Sequence, residues 1–132
     1  MLYSLDSNAV SDIQRESYHV LENMENAITN GDEIAICDIV YYGIVRGLKS
    51  VGAVNKLKKF LNMYEQMIHL PLNIEAIEKS IKIYESLHKG NQIEDNDIYI
   101  AAIAMVNKCT LVTANERHFG RINGLNYVNW RE

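Results

Sequence analysis

Four short apolar runs constrain the fold of this chain more than any other feature: "MLYSL" at 1–5, "EIAI" at 33–36, "MIHL" at 67–70 and "CTLVT" at 109–113. Each is too short to bury one face of a helix, and polar or turn-forming residues bound it, so each reads as a buried strand. Longer stretches of helical periodicity lie between them. Strands that alternate with helices give a parallel sheet covered on both faces, since a parallel connection needs a crossover. The expected class is α/β with three layers, a central mostly parallel sheet of four to five strands flanked by helices. "NYVNW" at 126–130 supplies the fifth, a short edge strand.

The helices announce themselves by their ends. Residues 9–15 form a short one, and "SYHVLENMENAITNG" forms another, with Ser17 as N-cap, Gly31 closing it, and Val20, Leu21, Met24 and Ile28 as its apolar stripe. Asp38 is placed to cap "IVYYGIVRGLKS", and a further helix runs from Val51 to about Glu65. Pro71 stops the third strand; Asn73 then caps a helix through His88, with Gly90 past its end and His88 and Lys89 suited to the negative pole of its dipole. "NDIYIAAIAMVNK" is apolar on most sides and is expected to be deeply buried.

A chain of 132 residues can bury a sizeable core without disulfides, so residues 1–132 are expected to form one domain. The net charge of -4 argues against a general nucleic-acid coating protein. Cys37 and Cys109 stand alone inside apolar runs, which fits buried thiols in a reducing compartment and not a zinc site. No run is long enough to span a membrane and the first ten residues lack a signal-peptide pattern, so the expected location is cytoplasmic, with no membrane partner.

Open α/β sheets gather ligands outside the carboxyl ends of their strands. The expected layout brings Asp6, Ser7 and Asn8, Asp38, Asp95 and Asp97, and Thr113, Asn115 and Glu116 to that edge. Converging carboxylates repel, so such a set either raises its own pKa values or holds a hard cation, for which Mg²⁺ or Mn²⁺ is the natural choice. Taken singly, each acid has a plainer explanation: Asp95 or Asp97 as a helix cap, Asp6 and Asn8 in a turn, Asp38 as a cap. The set, and not any one member, points to phosphoryl or phosphodiester chemistry. His19, His69 and His88 lie in or at the end of regular elements and His118 in a charged surface turn, so no histidine base is expected.

Three motifs in order then carry a resemblance. "MLYSLDSNAVSD" resembles the opening of PIN-domain proteins, "IEDNDIYIAAIA" their central acidic segment, and "TLVTANERHF" the segment after their fourth strand. Order, spacing and near end-to-end coverage are similar to the small VapC-type toxins of toxin–antitoxin pairs. The resemblance implies a Mg²⁺- or Mn²⁺-dependent endoribonuclease whose acids hold metal and activate water, leaving a 5′-phosphate and a 3′-hydroxyl. It places Asp6 and Asp97 at the principal acidic positions, Asp95 at an accessory one, and Asn115 where some members have aspartate. Ser7, Asn8 and Thr113 would orient ligands, while Arg46, Lys49 and Arg117 are candidates for phosphate contacts, each with a solvated face as its plainer reading. Implied partners are RNA, a cognate antitoxin held in an apolar groove, and a second copy in a homodimer or toxin–antitoxin hetero-oligomer.

The chain departs from the pattern at one position. Where the family has a metal-site glutamate, as in "YYEIxxGL", this sequence reads "YYGIVRGL", so Gly43 occupies the glutamate position. The consequence is one carboxylate fewer, hence weaker cation binding and an impaired nuclease. Glu and Gly codons differ by a single base, and the flanking residues still suit glutamate, which favours a substitution that silences a toxic product over natural divergence. A glycine pair, Gly43 and Gly47, could instead serve close helix approach. Two other functions stay open: an inert module that only binds an antitoxin, and a HAD-like phosphatase, for which Asn8 stands where a general acid is needed.

Overall fold

The computed structural model describes residues 1–87, 90 and 92–132. Its elements run β1 (Leu2–Leu5), α1 (Ser7–Arg15), α2 (Val20–Thr29), β2 (Glu33–Cys37), α3 (Asp38–Ser50), α4 (Val54–Glu65), β3 (Ile68–Leu70), α5 (Ile74–Ser86), α6 (Asp95–Val106), β4 (Thr110–Val112), α7 (Glu116–Phe119) and β5 (Tyr127–Val128). The five strands form one sheet in the order β3-β2-β1-β4-β5, and every pairing is parallel. The α/β expectation therefore holds, and the "NYVNW" edge strand is real but only two residues long.

Strand order explains where a ligand can enter. From β1 the chain steps outward through β2 to β3, then returns across β1 to lay down β4 and β5 on the other side. Loops leaving β1 and β4 therefore diverge, and the crevice between their carboxyl ends is the topological switch point. Leu5 and Val112 pair at that edge, and Asp6 N–H donates to the Val112 carbonyl (2.9 Å).

Burial on both faces requires near-continuous apolar strands, and Leu5, Ile34 to Cys37, Leu111 and Val112 are all buried. Ala101, Ala102 and Ala104 leave α6 slim enough to lie against α5, α3 and β4 together, and Ile98, Ile100 and Ile103 complete its buried faces. Each fully buried Ile or Phe contributes roughly 1.5–3 kcal/mol. Both cysteines are buried free thiols whose pKa values are pushed up to about 11, chiefly by burial, and they are chemically quiet at neutral pH.

Several expected boundaries are corrected. Ser17 does not cap α2: its N–H closes the end of α1 on the Asp12 carbonyl (2.9 Å), Glu16 and Tyr18 on either side take left-handed φ values of 53° and 57°, and α2 begins at Val20. The α4 helix starts at Val54 and not Val51, because Gly52 at φ +66° breaks the chain after α3. Asp38 is the first residue of α3 and not its cap; its carboxylate accepts from Leu72 N–H (3.1 Å), tying α3 to the segment after β3. Asn73 caps α5 as expected, accepting from Ala76 N–H (3.0 Å), but the expected roles of His88 and Lys89 lie outside the described residues. The short α7 has no counterpart among the expected helices; fully buried Phe119 anchors it. No helix among the described residues is long and apolar enough to cross a membrane.

Candidate active site

Asp6 sits at the switch point, 5% exposed, and acts as the N-cap of α1. Its Oδ1 accepts from Ser7 N–H (2.8 Å); its Oδ2 accepts from the Thr113 hydroxyl (2.8 Å) and from Asn8 Nδ2 (3.0 Å). Thr113 in turn accepts from Asn115 N–H (3.0 Å), and Asn8 Oδ1 accepts from Ala114 N–H (3.0 Å), so the loops after β1 and β4 are laced together around one carboxylate. A carboxylate offers about four acceptor sites and three are used, which leaves one lone pair free on Oδ1. Burial raises the Asp6 pKa most, and nearby Asp97 raises it further, against the lowering by its hydrogen bonds.

Asp97 lies across the crevice, in the first turn of α6, where the helix dipole favours an anion. Neither Asp97 nor Asp95 caps α6, since the N-cap is Glu94, so the capping explanation fails for both. Asp97 Oδ2 lies 3.0 Å from His118 Nδ1, and Asn115 Nδ2 lies 2.9 Å from that same nitrogen. One ring nitrogen cannot donate to the carboxylate and accept from an amide at once. A proton on Nδ1 satisfies Asp97, the stronger acceptor, and then the Asn115 amide must turn its oxygen toward the ring. His118, expected in a surface turn, is thus half-buried at the site. It is brought there by α7, which sets residue 118 one turn past Asn115 on the same face.

Other expected members fall outside this group. Asp95 is exposed and faces a shallow cleft with Ile77, Tyr84 and Tyr99 on the α5 side. Arg46 is exposed on α3, its guanidinium 5.4 Å from the Tyr42 ring centre; Lys49 is exposed in the last turn of α3, and Arg117 is exposed on α7. Glu116 receives a long contact from Asn129 (3.4 Å).

Gly43 lies in the second turn of α3 and lines a cleft of about 300 Å³ with Ser11, Arg15 and Lys56. A Cβ added at Gly43 or at Gly47 would meet nothing within 4 Å. Close helix approach therefore explains neither glycine.

A family model described as PIN domain matches residues 3–125. The chain belongs to the PIN domain family. "Ribonuclease VapC2" of Rickettsia felis is 32% identical over 140 residues, covering 98% of both chains, and "Ribonuclease VapC1" of Haemophilus influenzae strain R2866 is 22% identical with the same coverage. Among solved structures, VapBC2 from Rickettsia felis bound to a promoter DNA fragment superposes with a TM-score of 0.85 at 26% identity, over 98% of this chain and 99% of that one. DNA-bound VapBC from Salmonella typhimurium gives 0.85 at 25% identity, with the same coverage. The VapC-type resemblance read from the motifs holds.

Whether this PIN site suits a cation depends on its donors. Asp97 is close enough for its charge to raise the Asp6 pKa, and Asp6 keeps a free lone pair. Among the described residues, however, no three His, Cys, Asp or Glu side chains converge as a metal cluster. Two carboxylates suit an ion that keeps most of its water, as Mg²⁺ does, so the residues fit a weakly held hard cation.

Proposed function

We propose that this PIN-domain chain, residues 1–132 acting as one domain, is a VapC-type endoribonuclease toxin dependent on Mg²⁺ or Mn²⁺ and weakened by Gly43. Buried Asp6, raised in pKa and facing Asp97 at the switch point, is the observation that carries this reading. Asp6 and Asp97 would hold the cation, with Asn115 assisting and Asp95 contributing only to the field around it. The chemistry supplied when Mg²⁺ or Mn²⁺ is bound is polarisation of the scissile phosphate and acidification of an attacking water. Thr113, Ser7 and Asn8 fix the Asp6 carboxylate and leave only its free lone pair to act. His118 holds Asp97 through one oxygen, which leaves the other for a ligand. Of the bases, Arg117 stands on the helix that carries His118 and is the best placed to meet RNA phosphates; Lys49, at the far end of α3, is the worst.

The partners follow from two apolar surfaces. Met24, Ile28, Met63 and Met67 line a cleft of about 350 Å³ between α2 and α4 whose adaptable thioethers suit an antitoxin's apolar segment. Ile74, Ile77, Ile81 and Tyr84 form an exposed stripe on α5 at helical spacing, a face suited to a second copy. Such a toxin works inside the cell that makes it.

The inert-module reading is favoured by one observation: nothing among the described residues replaces the carboxylate missing at Gly43. Cleavage of a structured RNA by the present chain and by Gly43→Glu, with Mn²⁺ added, separates the two. Activity restored by glutamate supports the nuclease; silence in both proteins overturns it.

A further inference from the structure

The C-terminal segment makes a contact that the proposed chemistry does not use. Arg131 Nε lies 2.7 Å from Asp12 Oδ2 and its terminal nitrogen 3.1 Å from Oδ1, a two-pronged ion pair. Asp12 is 3% exposed and sits in the middle of α1. The guanidinium also lies over the Tyr18 ring, 4.5 Å from its centre. The segment is itself held in place: Asn23 Nδ2 donates to the Trp130 carbonyl (2.9 Å), Arg131 N–H donates to Asn129 Oδ1 (3.0 Å), and the Trp130 ring packs on Tyr3.

Only the Asp12 half of this pair is buried, and the Arg131 side chain is 34% exposed, so solvent screens the attraction and stability alone is a weak account of it. Its place on α1 suggests another. Asp12 follows Asn8 by four residues, one helical turn, and both line the closed seam between α1 and the chain at Thr113 and Ala114. Asn8 is the residue that joins Asp6 to Thr113 and Ala114. Sliding α1 by about 1 Å would carry these contacts beyond hydrogen-bond length, and misplacement on that scale can cost about 100-fold in rate.

We infer that Arg131 is a positioning residue: its grip on Asp12 holds α1 in the register that keeps Asp6 and Asn8 aligned on Thr113 and facing Asp97. This inference rests on the proposed nuclease reading for its importance to function, but not for its geometry. Arg131 acts through Asp12 and touches no reacting group.

The test compares the full chain with Asp12→Leu/Arg131→Met, which replaces the pair by apolar groups, and with Arg131→Lys, which keeps the charge but loses the second prong. Two readouts apply: amide hydrogen exchange at Ser7 and Ala114, whose N–H groups bond to Asp6 and Asn8, and Mn²⁺ affinity by electron paramagnetic resonance. The double variant is expected to melt within a few degrees of the parent, yet to exchange at Ser7 and Ala114 about tenfold faster and to bind Mn²⁺ about three- to tenfold more weakly. Arg131→Lys should show smaller changes in the same direction, and it carries both readouts if the double variant fails to fold. Parent-like exchange and affinity in a folded variant would overturn the inference. Should the parent itself take up no Mn²⁺, the metal reading fails, while exchange at Ser7 and Ala114 still decides the role of Arg131.

Discussion

Helix α1 has two neighbours built in opposite ways, the loop after β4 and helix α3. On the α1 and β4 side, Asp6 is gripped by three donors and each neighbour is gripped in turn. On the α3 side, Gly43 offers open space and no side chain at all. Burial and nearby Asp97 raise the Asp6 pKa against the hydrogen bonds that lower it, a cost that a positive ligand would relieve.

The largest effect should come from filling the open side. Gly43→Glu should raise Mn²⁺-supported RNA cleavage by about 100-fold, the scale of one well-placed electrostatic group, with little loss of stability because the space is free. Asp6→Asn introduced into that variant should abolish the gain, as seen in the same cleavage assay. If activity survives, the gripped side is not the functional one.

Thr113→Val keeps the shape of the side chain but removes the hydroxyl that serves Asp6 and Asn115 N–H together. Chemical denaturation should show a loss of about 1–3 kcal/mol, the cost of leaving buried groups unpaired. Asp6→Asn in the parent chain should have an effect that depends on pH. Because Asp6 holds its proton more tightly folded than unfolded, its contribution to stability is fullest below its ordinary value of 3.8 and is lost as pH rises through the raised folded value. The asparagine variant removes this charge but sets an amide donor against Asn8 Nδ2 or the Thr113 hydroxyl, so it should be less stable than the parent by a deficit that is larger at pH 4 than at pH 7. A constant difference across that range would show that the Asp6 charge is not the cause. The smallest effect belongs to Lys49→Gln, which should change RNA affinity less than about twofold, as expected of an isolated solvated base.

Much of this protein is legible in the order of its amino acids. Short apolar runs identify β1 to β4, because strand burial is written in consecutive residues, whereas Asp6 and Asp97 stand out from the other acids only through the resemblance to PIN-domain motifs. Gly43 is legible as a gap beside Gly47. His118 is not, since its value depends on α7, a single turn with too few residues to show periodicity. Nor does the chain order place Asp95 correctly: it stands two positions before Asp97, about 200° around the helix, and one of them has to face away.

By itself the sequence determined the α/β alternation, the buried α6, and Asp6 at the carboxyl end of β1, for these follow from local periodicity and chain order. Only the tertiary structure decided that β1 lies between β2 and β4, that His118 meets Asp97, and that Arg131 reaches back to Asp12. Those contacts join residues 21 and 119 positions apart in the last two cases, and no local pattern encodes a partner that the fold must first bring near.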